Sequence, residues 1–233
     1  MIKMILFDLD GTLLPMDQDL FVKAYFGGIA KRLANHGYEP NKLIFAIWEG
    51  TKSMILNDGT KLNEEMFWQK FSEIYGEDKR SDEPYFNQYY INDFDNVKLT
   101  CGFNPKSREL IDKIKKYGFR VALATNPIFP QVATFKRIKW AGLNKDDFEL
   151  VTTYENSSYC KPKLEYYKEI INQLKVLPEE CLMVGNDVNE DMVVTNLGMK
   201  VFLLTDCLIN KDNIDIHQYP NGNFDDFKYL FYL

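Results

Sequence analysis

Lys3-Met4-Ile5-Leu6-Phe7-Asp8-Leu9-Asp10-Gly11-Thr12 decides the reading of this chain. A short apolar run closed by glycine has the pattern of a buried strand rather than a helix. Side chains at i and i+2 of a strand point the same way, which predicts Asp8 and Asp10 on one face. An apolar interior cannot leave two carboxylates unpaired. They must therefore stand at the strand's end and meet a partner there, either a divalent cation or a charged substrate.

Outward from this strand, residues 14–94 hold no strongly strand-like run. Leu20, Ala24, Ile29, Leu33 and Ala34 have helical spacing, and Asn35-His36-Gly37 supplies a stop. Pro40-Asn41 opens a second helix through Leu43, Ile44, Ile47 and Trp48. A third begins near Asn63 and carries Met66, Phe67, Phe71 and Ile74 to Gly76, and Pro84 to Phe94 reads as an aromatic-rich helix or turn. From Pro105 the pattern changes. Helices over 105–117, 129–140, 162–174 and 192–197 alternate with strands over 119–124, 148–152, 181–184 and 200–204. That rhythm predicts a doubly wound, largely parallel α/β sheet. The expected division is an α/β core from residues 1–14 and 95–233, interrupted by an all-helical insert, 15–94.

Composition narrows the function. A net charge of −6 speaks against non-specific binding to nucleic acid or to an anionic membrane surface. Four widely spaced cysteines form no Cys-x-x-Cys pair, so neither a disulfide framework nor a zinc site is expected. Two histidines exclude a multi-histidine metal cluster. Asp8 and Asp10 come too early for a signal peptide, and no run of about 20 apolar residues is present to span a bilayer. The expectation is a cytoplasmic protein.

In open α/β sheets ligands bind beyond the carboxyl ends of the strands. The polar residues expected there are Asp8 and Asp10, Thr125 and Asn126, Lys161, and Asp187. Core packing gives no reason to gather them on one edge. With these residues in view, the chain resembles the haloacid dehalogenase (HAD) superfamily of phosphotransferases over residues 1 to about 205. Phe7-Asp8-Leu9-Asp10-Gly11-Thr12-Leu13-Leu14 is similar to its first motif and Ala124-Thr125-Asn126 to its second. Cys160-Lys161-Pro162 resembles the third, and Gly185-Asn186-Asp187-Val188-Asn189-Glu190-Asp191 the fourth. The helical insert lies where the family carries a C1 cap.

The resemblance implies roles. Asp8 would attack phosphorus and form an aspartyl-phosphate, splitting one difficult displacement into two. Asp10 would pass protons to the leaving oxygen and from the attacking water. Mg²⁺ suits a carboxylate-rich oxygen site and would be held by Asp8, the Asp10 carbonyl and a fourth-motif residue. Thr125 and Asn126 would bind the phosphoryl oxygens, and Lys161 would offset their charge. The family usually places an acid directly after the fourth-motif glycine, whereas this chain has Asn186 there and Asp187 next. A carboxylate is the stronger Mg²⁺ ligand, so Asp187 is favoured, with Asn186 competing and Asp191 orienting Lys161 or a metal-bound water.

The aspartate two residues after the nucleophile is absent from the family's dehalogenases and is a threonine in its transport ATPases. Asp10 therefore points to a phosphatase acting on a small phosphorylated metabolite. A phosphomutase on the same site and a non-catalytic phospho-ligand binding protein remain as alternatives. A phospho-accepting receiver domain fits less well, because its acceptor aspartate follows the third strand. The loop after 148–152 holds Tyr154-Glu155-Asn156 and no aspartate.

Overall fold

The central strand β1 (Met4–Phe7) is wholly buried in the computed structural model, which describes residues 1–231. Four helices follow it: α1 (Gln18–Ala34), α2 (Pro40–Leu56), α3 (Asn63–Tyr75) and α4 (Glu83–Asn92). Asp17 caps α1 by accepting the Leu20 N–H, and Pro40 opens α2 at a position where its missing N–H costs nothing. The chain then alternates through α5 (Lys106–Lys116), β2 (Arg120–Leu123), α6 (Gln131–Trp140), α7 (Leu164–Leu174), β3 (Cys181–Gly185) and β4 (Lys200–Leu204). It closes with β5 (Asn221–Gly222) and α8 (Phe224–Tyr229). The strands make one sheet in the order β2-β1-β3-β4-β5, every pair parallel.

The period of two along the strands sorts the core onto two faces. Ile5, Phe7, Val121, Leu123 and Val184 pack in one cluster with Leu110, Ile111 and Ile114 of α5 and Phe227 of α8. Met4, Leu6, Ala122, Met183 and Leu203 pack in the other with Tyr166, Tyr167, Ile170 and Leu174 of α7. A sheet covered on both faces is what parallel strands with continuous apolar runs require. The four helices α1–α4 lie between β1 and β2 in sequence. The two segments that join them to the sheet run side by side, with a Met16–Cys101 antiparallel bridge and a Gly102 N–H bond to the Pro15 carbonyl at 2.8 Å.

Three expectations change. Residues 148–152 run beside β2, with the Leu123 N–H donating to the Leu150 carbonyl (2.8 Å), but only a single Leu123–Val151 bridge forms. The Thr152 N–H still donates to the Leu123 carbonyl (3.1 Å) while its hydroxyl bonds the Thr125 carbonyl, and among the described residues no second bridge follows. Met192–Leu197 is a 3₁₀ turn and not an α-helix; its Val193-Val194-Thr195 run is β-branched and crowds an α-helix. The strand series also does not close at Leu204, because β5 adds to β4. Among the described residues, no helix is long and apolar enough to cross a membrane.

Candidate active site

β1 lies between β2 and β3, so the residue that follows it stands at the middle of the sheet's carboxyl edge. That residue is Asp8, whose N–H donates to the Val184 carbonyl at 2.9 Å. The buried Lys161 ammonium donates to Asp8 Oδ1 at 2.8 Å and to Asp191 Oδ1 at 2.6 Å. The other Asp191 oxygen accepts the Asp187 N–H at 3.0 Å. Gly185 makes this approach possible: a Cβ there would lie 2.0 Å from Asp191 Oδ2, an atom tied in place and unable to yield.

Asp10 does not share a strand face with Asp8, contrary to the i, i+2 expectation. β1 ends at Phe7 and the chain turns, with the Leu14 N–H folding back to the Leu9 carbonyl. Asp8 thereby meets Lys161, at the approach to α7, while Asp10 Oδ2 pairs with the Arg137 guanidinium of α6. Arg137 is 2% exposed and lies 4.6 Å from the centre of the Phe129 ring. Asp10 Oδ1 is buried without a hydrogen-bond partner. Both carboxylates still border one cleft.

Thr125 follows β2, is buried, and accepts at its carbonyl from Thr152 Oγ1 (2.6 Å) and the Tyr166 hydroxyl (2.9 Å). Asn126 donates to both Glu190 carboxylate oxygens, at 3.1 and 3.2 Å. At β3, the Asn186 amide is engaged at both ends: Oδ1 accepts from Thr12 Oγ1 at 2.9 Å and Nδ2 donates to the Cys207 carbonyl at 2.7 Å. Asp187 Oδ1 accepts the N–H groups of Asn189 (2.8 Å) and Glu190 (3.0 Å).

These residues border a cleft of about 190 Å³ that is rich in negative charge. Asp8, Asp10, Asp187, Glu190 and Asp191 line it, with Arg137 and Lys211 as the lining cations. Burial, helped by Asp191 and Asp10, pushes the Asp8 carboxyl up to about 7 against the opposing pull of Lys161. Burial likewise raises Glu190 to about 7, with Asp191 and Asp187 adding to it. Burial raises Asp187 as well. Burial works against the charge of Lys161, but Asp191 and Asp8 outweigh it and hold the ammonium well above the ordinary lysine value. One ammonium shared by two acids cannot neutralise both.

A family model described as haloacid dehalogenase-like hydrolase matches residues 2–193. The chain belongs to that family. It is 25% identical over 228 residues to the glyceraldehyde 3-phosphate phosphatase of Methanothermobacter thermautotrophicus, an alignment covering 93% of this chain and 94% of that one. Its fold is shared with a HAD phosphatase from Thermococcus onnurineus, at a TM-score of 0.62 and 18% identity over 98% and 97% of the two chains. It is also shared with the HAD-hydrolase YfnB from Bacillus subtilis, whose structure is bound to magnesium (TM-score 0.56, 16% identity, 100% and 99% covered). The named relatives place this hydrolase with the phosphatases.

The fold of this HAD hydrolase brings together every residue singled out from its sequence: Asp8, Asp10, Thr125, Asn126, Asn186, Asp187 and Asp191 border the cleft, and Lys161 is bonded to Asp8. Sequence reasoning missed Arg137, Glu190 and Lys211. Arg137 had a signal: with Ala133, Thr134 and Ile138 it falls on the buried stripe of α6, where a lone arginine needs a partner. Glu190 sat inside the fourth motif with no role assigned, and Lys211 stands in a loop with no motif. Among the described residues, no three His, Cys, Asp or Glu side chains already form a metal-ligand cluster. The donor chemistry nevertheless fits a hard divalent cation: the carboxylates outnumber the lining cations, and Asp10 Oδ1 has no partner.

Proposed function

We propose that this enzyme is a Mg²⁺-dependent phosphohydrolase acting on a small phosphomonoester through an aspartyl-phosphate at Asp8, with residues 15–94 as its helical cap. The observation that carries the reading is the buried Lys161 ammonium holding Asp8 at the centre of the sheet edge, beside Thr125 and a surplus of carboxylates. An Asp8 oxygen attacks phosphorus as the bond to the leaving oxygen breaks, and Asp10 protonates that oxygen. Water then attacks the same phosphorus, Asp10 takes its proton, and inorganic phosphate leaves with Asp8 restored. Thr125 and Asn126 hold phosphoryl oxygens, and Lys161 keeps Asp8 oriented and offsets the gathered charge.

Mg²⁺ would be held by the Asp8 carboxylate, the Asp10 main-chain carbonyl and Asp187, and when bound it neutralises phosphoryl charge. Asp187 is favoured over Asn186 because the Asn186 amide is engaged at both ends. Asp191, bonded to Lys161, acts as that lysine's support.

Phosphate release from an aryl phosphate is the direct test. Wild type should turn over with Mg²⁺ and stop on chelation with EDTA, and Asp8→Asn should lose all measurable turnover. Undiminished rate in Asp8→Asn would refute the nucleophile, and EDTA-insensitive activity would refute the metal. An inactive wild type on a broad phosphate panel would leave a binding protein as the better reading.

A further inference from the structure

Beside the catalytic cleft lies a second cavity, of about 90 Å³, lined by all four cap helices, by the loop after β2 and by Tyr154. Its walls are aromatic: Tyr25 of α1, Trp48 of α2, Phe67 and Trp68 of α3, and Phe86 and Tyr90 of α4. Val22, Ile128 and Phe129 line both this cavity and the cleft that holds Asp8, so the two spaces adjoin across those side chains. At this shared rim Phe129 meets Arg137, a residue of the cleft, 4.6 Å from its ring centre, and Tyr25, a residue of the cavity, 5.3 Å away centre to centre. A group esterified to a phosphoryl at Asp8 has this apolar space next to it.

Charge narrows what that group can be. Among the described residues lining the cavity there is no lysine or arginine, while Glu83 is present and already paired with Arg80. A leaving group with its own carboxylate or phosphate would enter an apolar space without a counter-ion, beside a glutamate, and would pay the desolvation of its charge. An apolar group gains instead from burial.

We propose that the cavity receives the organic part of the substrate, which is the phosphomonoester of an uncharged, apolar alcohol, alkyl or single-ring. On the scale where one water takes about 10–15 Å³, the cavity has room for roughly six heavy atoms. This rests on the phosphohydrolase reading above and specifies the substrate class of the same site.

The test is a series of n-alkyl phosphates from methyl to octyl, with phosphoglycolate as the anionic comparison. For wild type, kcat/KM should rise roughly fourfold per added methylene and level off near six carbons. Phosphoglycolate should fall below propyl phosphate. Thr51 lines the cavity from α2 and bonds its own helix at the Ile47 carbonyl, so Thr51→Met fills space without emptying the core. That variant should flatten the rise and move the plateau to shorter chains, mainly through KM.

Binding is read separately from turnover. Two of the three tryptophans, Trp48 and Trp68, line the cavity. Non-hydrolysable hexylphosphonate should shift their emission with saturation in wild type, and more weakly in Thr51→Met. A flat alkyl series, phosphoglycolate preferred over hexyl phosphate, or a slope untouched by Thr51→Met would each overturn the proposal. No turnover of any ester, with hexylphosphonate still shifting the emission, would overturn the hydrolase reading and leave the apolar cavity standing as a ligand site.

Discussion

Arg137 and Asp10 form the pair in which loss of one partner should be felt most. Arg137 is the more enclosed, its side chain 2% exposed against 17% for Asp10. Breaking a fully buried pair costs about 3–5 kcal/mol because a charge is left behind, and the exposure of Asp10 reduces that to about 2–4 kcal/mol for Arg137→Met. Urea unfolding measures this. Kinetics should separate a role in catalysis from mere support. If Arg137 positions Asp10 for proton transfer, Arg137→Met should depress hydrolysis of alkyl phosphates by up to about 10²–10⁴-fold. Nitrophenyl phosphate, whose leaving group needs no proton, should suffer far less. Equal losses on both ester types would show that Arg137 only holds the fold. At this scale the sequence was informative wherever a motif fixes the spacing, as at Asp8, Lys161 and Asp191. For Arg137 it marked a buried arginine in need of a partner but could not name Asp10, which lies 127 residues away with no local pattern joining the two.

Among the elements, the start of α3 ties the helical insert to loops at the sheet edge. Asn63 is fully buried, with its Nδ2 within reach of the Pro127 and Tyr159 carbonyls, both at 3.3 Å, while its Oδ1 accepts from Asn57 at 2.9 Å. One side chain thus links the end of α2 and the start of α3 to the loop after β2 and to the segment leading into Lys161. Asn63→Ala would leave several of these groups without partners, at about 1–3 kcal/mol. Beyond that lost stability, hydrogen exchange should show faster opening around residues 57–63 and 157–161 in the variant; unchanged protection in both segments would contradict the link. The helices themselves were legible, since their apolar spacing is local. The single bridge at Val151 and the 3₁₀ turn at Met192–Leu197 were not, because an apolar run has the same local pattern whether or not it pairs fully with a neighbouring strand or completes an α-helical turn.

For the molecule as a whole, the crowded carboxylates predict how stability responds to pH. Asp8 has a folded value of about 7 against an ordinary 3.8, and Glu190 about 7 against 4.5, burial being the main cause in each. The folded state holds these protons more tightly than the unfolded chain. Their contribution is therefore complete below about pH 4 and is lost as pH rises through about 7. The Mg²⁺-free protein should show a falling Tm between pH 5 and 7.5. Asp8→Asn should remove part of that slope and be the more stable protein at pH 7.5, by about 1–3 kcal/mol. A wild-type Tm that rises over this interval, or an Asp8→Asn variant with the same slope, would contradict the charge balance. Mg²⁺ added at pH 7.5 should raise the wild-type Tm, since a ligand of the native state stabilises it by mass action.

The sequence by itself determined the α/β alternation, the helical insertion after β1 and most of the residues that meet at the sheet edge, Arg137, Glu190 and Lys211 excepted. These follow from short-range periodicity and from strand ends, which neighbouring residues are enough to specify. Only the tertiary structure decided which cation serves which carboxylate. Asp8 and Asp10 stand two residues apart, yet β1 ends between Phe7 and Asp8 and the turn sends them to Lys161 and Arg137. The aromatic cavity beside them is likewise a tertiary product: four helices and two loops line it, and no single stretch of chain contains its shape.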